Sequence, residues 1–226
     1  FSVVHRLQPI VSMAFQPDGS RLIGAYQSGI FVIDIKTGKA NGIDGEFQFV
    51  SAVALSRDWM ARAERAEPRG NREVKISPVQ GGAPARVFRE HTSDVQGLAF
   101  SPDGLRVAAG EFMPRARLWS VRTGCLQQTY PNSSAEIRAL NFSPDGRWLA
   151  AVSPSGVQVS EVISGREVAR LLPPGGEFES AGFSADGRIV ALANDAGPRL
   201  WRTGPLPSLT SKPPPRPPRH IVTIGN

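Results

Sequence analysis

The chain has 226 residues, 40% of them hydrophobic and 20% charged, which is enough apolar side chain to bury a substantial core. Lysine and arginine outnumber aspartate and glutamate 26 to 20, and 23 glycines with 20 prolines point to a fold with many turns. No apolar run approaches the length of a transmembrane helix, and no signal peptide is visible, so no membrane partner is expected.

Length alone allows one or two domains. Three of the cations, Lys212, Arg216 and Arg219, sit near the end of the chain, and the others are spread without a basic run. That distribution reads as a solvated basic surface and argues against nucleic acid as the partner. Cys125 is the single cysteine, so there is no internal disulfide, and a reducing, cytoplasmic setting is expected. The chain begins with phenylalanine, which reads as a processed chain or a piece of a longer one.

In chain order, residues 1–4 read as a short strand. The first full unit spans residues 10–38, with the turn Phe15-Gln16-Pro17-Asp18-Gly19, a third strand over 30–35 and an exit at Thr37-Gly38. The second unit is degenerate. Its turn is Leu55-Ser56-Arg57-Asp58-Trp59, and its second strand, 59–63, carries the charge of Arg62. Residues 64–72 read as a polar loop, 74–79 as the third strand and Gly81-Gly82 as the exit. The third unit is the clearest: Phe100-Ser101-Pro102-Asp103-Gly104, an apolar strand to Gly110, then Arg117-Leu118-Trp119 and Thr123-Gly124. The fourth and fifth units repeat it with Phe142-Ser143-Pro144-Asp145-Gly146 and Phe183-Ser184-Ala185-Asp186-Gly187, and exit at Ser164-Gly165 and Thr203-Gly204. Outer strands are expected at 86–88, 126–130 and 168–171.

The turn has a mechanism. Proline presets φ at its second position, aspartate tolerates the third, and glycine takes the left-handed conformation that closes the hairpin. Residues 107–110 are small and apolar on both faces, which predicts a strand covered on both sides. The anchors 15, 55, 100, 142 and 183 lie 40, 45, 42 and 41 residues apart. Four strands per unit at that period is the signature of a propeller blade. The expected fold is all-β: a β-propeller of five four-stranded blades over residues 1–204, followed by a Pro-rich basic tail over 205–226. Prolines 205 and 207 deny the last blade an outer strand, so pairing of residues 1–4 with 198–202 is expected to close the ring. The alternative is a fragment of a larger propeller. The stretch 212–219 (KPPPRPPR) should be an extended polyproline II spacer. Pro214, Pro217 and Arg219 also match a PxxP-x-R pattern that a peptide-motif-binding partner of the SH3 kind recognises, with a plain linker as the simpler reading.

The chain resembles the WD40-repeat family over about residues 1–204. The resemblance rests on the repeated turns, on Arg117-Leu118-Trp119 and Arg199-Leu200-Trp201, and on His91 nine residues before Phe100. Ile33, Ser77 and Ser160 replace tryptophan in the other units. The family's Gly-His pair occurs once, as Glu90-His91, and its turn aspartate falls on Asp195 alone, whose blade has Pro174 in place of the histidine. No blade is therefore expected to carry the full His–Asp network. What the resemblance implies is a scaffold that binds another protein.

Catalytic chemistry finds no support in the sequence. His5, His91 and His220 are far apart, with no HExxH, no paired cysteines, no GxSxG elbow, no Walker loop and no GxGxxG. Asp18, Asp103, Asp145 and Asp186 recur because the turn needs them. Trp119 and Trp201 fit packing between blades, His91 a structural hydrogen bond, and Cys125 a small strand residue. No metal, cofactor or enzymatic activity is expected. Recognition then falls to loops on one rim, where Arg89, Glu90, His91, Phe112, Met113, Arg115 and Asp195 are the candidate partner-binding residues. Phe112 and Met113 read equally well as interface anchors or as a plug over the central channel. The expected function is a non-catalytic protein–protein interaction module. The alternative is a sensor or ligand-binding propeller attached to a catalytic domain absent from this chain.

Overall fold

The structure is a computed structural model. It describes residues 9–26, 29–43, 49–65, 72–79, 85–131, 136–172, 177–187, 189–194 and 199–202, with the backbone alone at 65, 189–194 and 199–202. The expected closing strand at 1–4, Asp195, the exits at 81–82 and 203–204 and the tail lie outside these residues.

Every described element is a strand, and the strands fall into five antiparallel units. Unit one holds β1 (Ser12–Phe15), β2 (Arg21–Tyr26), β3 (Gly29–Asp34) and β4 (Ala40–Ile43). Unit two holds β5 (Val50–Leu55), β6 (Trp59–Arg65), β7 (Arg72–Pro78) and β8 (Arg86–Phe88). Unit three holds β9 (Val95–Phe100), β10 (Arg106–Glu111), β11 (Arg115–Ser120) and β12 (Leu126–Pro131). Unit four holds β13 (Ala139–Phe142), β14 (Trp148–Ser153), β15 (Gly156–Glu161) and β16 (Glu167–Leu171). Unit five shows β17 (Phe178–Phe183), β18 (Ile189–Asn194) and β19 (Arg199–Arg202). Each sheet is a meander in chain order, four-stranded in the first four units and three-stranded in the fifth. This is a blade-like arrangement, in which consecutive sheets pack face to face.

The turns take the expected form. Gly19, Gly104, Gly146 and Gly187 have φ of 70°, 69°, 69° and 69°, in the left-handed region that glycine enters at no steric cost. In unit three Gly104 N–H donates to the Ser101 carbonyl at 2.8 Å, and the Ser101 hydroxyl donates to Asp103 at 2.5 Å. Leu105 N–H then donates to the same carboxylate at 2.9 Å. Those hydrogen bonds hold the Asp103 carboxyl below the usual carboxylate range, against a burial effect that raises it.

Four apolar clusters join successive units. Val53 and Leu55 pack with Ile23, Ala25 and Ile30 between units one and two. Leu98, Phe100 and Trp119 pack with Ala61, Ala63 and Ile76 between two and three. Leu140 and Phe142 meet Ala108 and Leu118, and Ala181 and Phe183 meet Trp148 and Ala150. Trp119, 1% exposed, stacks on Phe88 of the preceding unit with centroids 5.2 Å apart, so it does pack between sheets. Val107, Ala108 and Ala109 are each 0% exposed, as two covered faces require. Inner strands are also tied by polar groups: the Ser51 hydroxyl donates to the Val95 carbonyl at 2.6 Å and the Asn141 amide to the Ala181 carbonyl at 2.5 Å.

Two sequence expectations need correction. The polar loop at 64–72 begins later than expected, because β6 runs through Glu64 to Arg65 and β7 starts at Arg72. Cys125 is exposed and precedes β12 instead of lying in a strand. The outer face of unit one is bare among the described residues, with Met13 59% and Phe15 62% exposed. Closure of the ring is therefore not seen there.

Candidate functional site

The site grows from the ends of second strands. Antiparallel hairpins place the Ser-Pro-Asp-Gly turns at one end of each sheet and the loops after the second strands at the other. At that second end, β10 finishes on Glu111, and the loop 112–114 leads into β11. The segment 89–94 returns to the same end from β8.

Glu111 is fully buried. A buried carboxylate is costly unless paired, and here the pairing is dense. Arg117 Nη1 donates to Glu111 Oε1. His91 Nδ1 lies 3.2 Å from the same oxygen, and the Thr92 hydroxyl donates to Oε2 at 2.9 Å. Burial by itself would raise the Glu111 carboxyl; the bonds from His91 and Thr92 and the Arg117 charge outweigh it and hold the group below its ordinary range. Arg117 also donates to the Glu90 carbonyl, which pins the returning segment. The His91 ring packs 4.9 Å from Trp119, centroid to centroid, with its side chain fully covered.

This cluster fixes the loops above it. Phe112 N–H donates to the Asp94 carbonyl at 2.7 Å, and Met113 N–H to the Ser93 hydroxyl at 2.8 Å. Phe112 and Met113 are 53% and 57% exposed. Arg115 is exposed beside them. Arg89 reaches back to unit two, where its Nε lies 2.8 Å from Glu73 Oε1, and Glu90 is exposed. The structure thus brings Arg89, Glu90, Phe112, Met113 and Arg115 to one surface. His91 belongs beneath it, in a structural role.

Unit two repeats the arrangement with different partners. Glu64 stands at the position of Glu111 and Lys75 at that of Arg117, with Lys75 Nζ 2.5 Å from Glu64 Oε2. Arg62 Nε lies 2.5 Å from the other oxygen, and Arg62 Nη1 donates to the Ser77 hydroxyl at 2.8 Å. The charge that looked intrusive in the second strand is therefore buried and paired. Next to it, where β5 and β9 begin, a cleft of about 380 Å³ is lined by Val11, Phe49, Ser51, Glu64, Arg72 and Asp94. Arg72 Nε and Asp94 Oδ1 pair at 2.5 Å across it. Phe49, half-exposed at its edge, has φ of 46°, a backbone strain that is often found at functional sites.

Sequence reading missed Glu111, Glu64 and Arg72. It sought the family's aspartate partner for His91, whereas a glutamate from the end of the second strand supplies the carboxylate. The available signal was a lone acid closing an apolar strand, at the same place in two units. Among the described residues no three His, Cys, Asp or Glu side chains converge as a metal site would require, and no helix is long and apolar enough to cross a membrane.

No curated protein matches the chain. The model of the WD domain, G-beta repeat, matches residues 82–113 and 124–157. The first stretch contains His91, Glu111 and the exposed pair Phe112 and Met113; the second contains the Ser143–Gly146 turn. Together these two matches show WD40 repeats in those stretches of the chain.

Proposed function

We propose that the chain is a non-catalytic scaffold that docks a protein partner on the rim of units two and three. WD40 repeats generally mediate protein–protein interactions. The observation that carries this reading is the pair Phe112 and Met113, each more than half exposed on a loop whose backbone is hydrogen-bonded to 93–94. Large apolar side chains held rigidly in solvent lose little entropy on binding and serve as anchors. Arg89, Glu90 and Arg115 supply a charged border, as the rim of an interface requires. The neighbouring cleft offers room for a side chain of the partner. His91 and Glu111 act through the loops they hold and touch no partner.

A photo-crosslinking residue placed at Phe112 tests the reading, with one at Ile163 on the opposite end as control. The expected result is a discrete crosslinked protein from position 112 alone. Excess unlabelled chain should compete it away, and the Phe112→Ser, Met113→Ser chain should not. Equal capture from both positions, or equal competition by the variant, would remove this rim from consideration.

A further inference from the structure

Asparagine followed by glycine is ordinarily a turn signal. In this sequence the pair occurs once, at Asn41-Gly42, and it is not in a turn. The turn into β4 is made by residues 35–38, with Gly38 at a φ of 65°, whereas Asn41 and Gly42 lie in β4 itself, both exposed. β4 is the last strand of its sheet, paired among the described residues with β3 on one side only. Asp34 N–H donates to the Lys39 carbonyl at 2.9 Å, and the register then sets Val32 opposite Asn41 and Phe31 opposite Gly42. Bonding alternates along an antiparallel ladder, so Val32 and Asn41 exchange hydrogen bonds and the Gly42 N–H points out to the open edge of the sheet. A Cβ at Gly42 would meet nothing within 4 Å among the described residues, so no neighbour crowds the peptide bond that joins the pair.

We propose that Asn41 is a site of spontaneous covalent modification, deamidating through a cyclic imide to isoaspartate and aspartate. The Gly42 nitrogen attacks Cγ of Asn41. An N–C bond forms, the carboxamide C–N bond breaks, and ammonia leaves with the Gly42 proton. Water then opens the ring. Attack at Cγ gives aspartate; attack at the main-chain carbonyl carbon gives isoaspartate, in which the chain runs through the side chain. Ring closure needs rotation about the Cα–C bond of Asn41, and so the loss of its bonds to Val32. A four-residue strand at a sheet edge opens that far at low cost. Isoaspartate lengthens the main chain by a methylene carbon and adds a negative charge, which undoes the pairing of Gly42 and Ile43 with Phe31 and Ile30. Ile30 is buried in the joint between units one and two, so the modification loosens that joint from its outer side. Asn141 is the internal contrast: its amide donates to the Ala181 carbonyl at 2.5 Å and phenylalanine follows it, so it stays unmodified.

The test holds the folded chain in mildly alkaline buffer and maps it by trypsin digestion and mass spectrometry. Peptide 40–57 should gain the mass difference between an amide and an acid, located at residue 41 by its fragment ions, and an isoaspartate-specific methyltransferase should label it. Peptide 139–147, which holds Asn141, should gain none. The mass gain separates Asn41 from the Asp44-Gly45 pair in the same peptide, whose isomerisation changes no mass. Gly42→Ala, which the open space admits, should keep the melting temperature and slow the reaction about tenfold or more, because a side chain at 42 crowds ring closure. Hydrogen exchange at 30–33 and 40–43 should be faster in the modified fraction than in the unmodified chain. An Asn41 that stays intact in the folded chain, with the urea-unfolded chain gaining the mass, would overturn the proposal, since the ladder then protects it. So would an equal rate in Gly42→Ala, and unchanged exchange in the modified fraction would overturn the loosening of the joint.

Discussion

Glu111 joins two physical demands in one side chain: it sits in a place fit for an apolar group, and it is kept charged there by His91, Thr92 and Arg117. Its folded carboxyl is held below the ordinary value of 4.5, so the unfolded chain takes up the proton first as pH falls. The stability this group contributes is complete above about pH 4.5 and is lost as pH drops through the lowered folded value. Urea unfolding of the wild-type chain and of Glu111→Gln should therefore differ most near neutrality and converge in acid. Breaking a buried pair from one side costs about 3–5 kcal/mol, which sets the expected neutral-pH gap. Parallel pH profiles would show that Glu111 carries no such role. Gly104 makes a simpler case. Its φ of 69° is a left-handed conformation that a branched side chain strains, so Gly104→Val should destabilise by more than about 1 kcal/mol in the same assay. The glycine was legible in the sequence because its constraint is local to a four-residue turn. Glu111 was not, because its partners stand 20 residues before it and six after, joined only by the hairpin.

Among the strands, β10 shows how little slack the stacked sheets leave. A Cβ added at Gly110 would lie 2.4 Å from Cγ2 of Ile137, a fully buried side chain of the next unit. Gly110→Ala should thus cost about 1–3 kcal/mol by overpacking, and combined with Ile137→Ala, which removes that Cγ2, it should cost less than the sum of the two single substitutions. A melting temperature unchanged by the single substitution would mean the two sheets separate freely. Strand positions were largely readable, since the turn repeats fix where each hairpin begins and small apolar runs mark the covered strands. The misread element is β6. Its Arg62 and Glu64 look like solvent-exposed charges when taken one at a time. They are buried because Lys75 and Ser77 on the adjacent strand complete them, and a cross-strand partner leaves no mark in local composition.

At the scale of the molecule, the main contacts among the described residues run from each sheet to its sequence neighbours, as in a one-dimensional array. Stability should then depend on how many neighbours a unit has. Hydrogen exchange should be slowest in β10 and β14, whose sheets are covered on both sides, and fastest in β1. Uniform protection across the units would argue for one undivided cooperative block. The repeat period revealed the order of the units and their packing partners. It could not show whether the ends meet, because closure depends on small angles summed over all the joints, and no residue reports that sum.

One position changes its chemistry from hairpin to hairpin. Where the second strand ends and the third passes beside it, unit one holds Tyr26 and Phe31, stacked 6.3 Å apart. Unit two holds Glu64 and Lys75, unit three Glu111 and Arg117, and unit four Ser153 and Gln158. A chain of near-identical hairpins runs the hazard of joining a strand from one copy to a strand from another while it folds. Here each wrong match leaves a mark. Glu64 set beside Gln158, or Arg117 beside Tyr26, strands a charge away from water without its counter-ion. The differences at this one place work as a lock and key between strands, so that copies descended from one pattern still recognise their own halves.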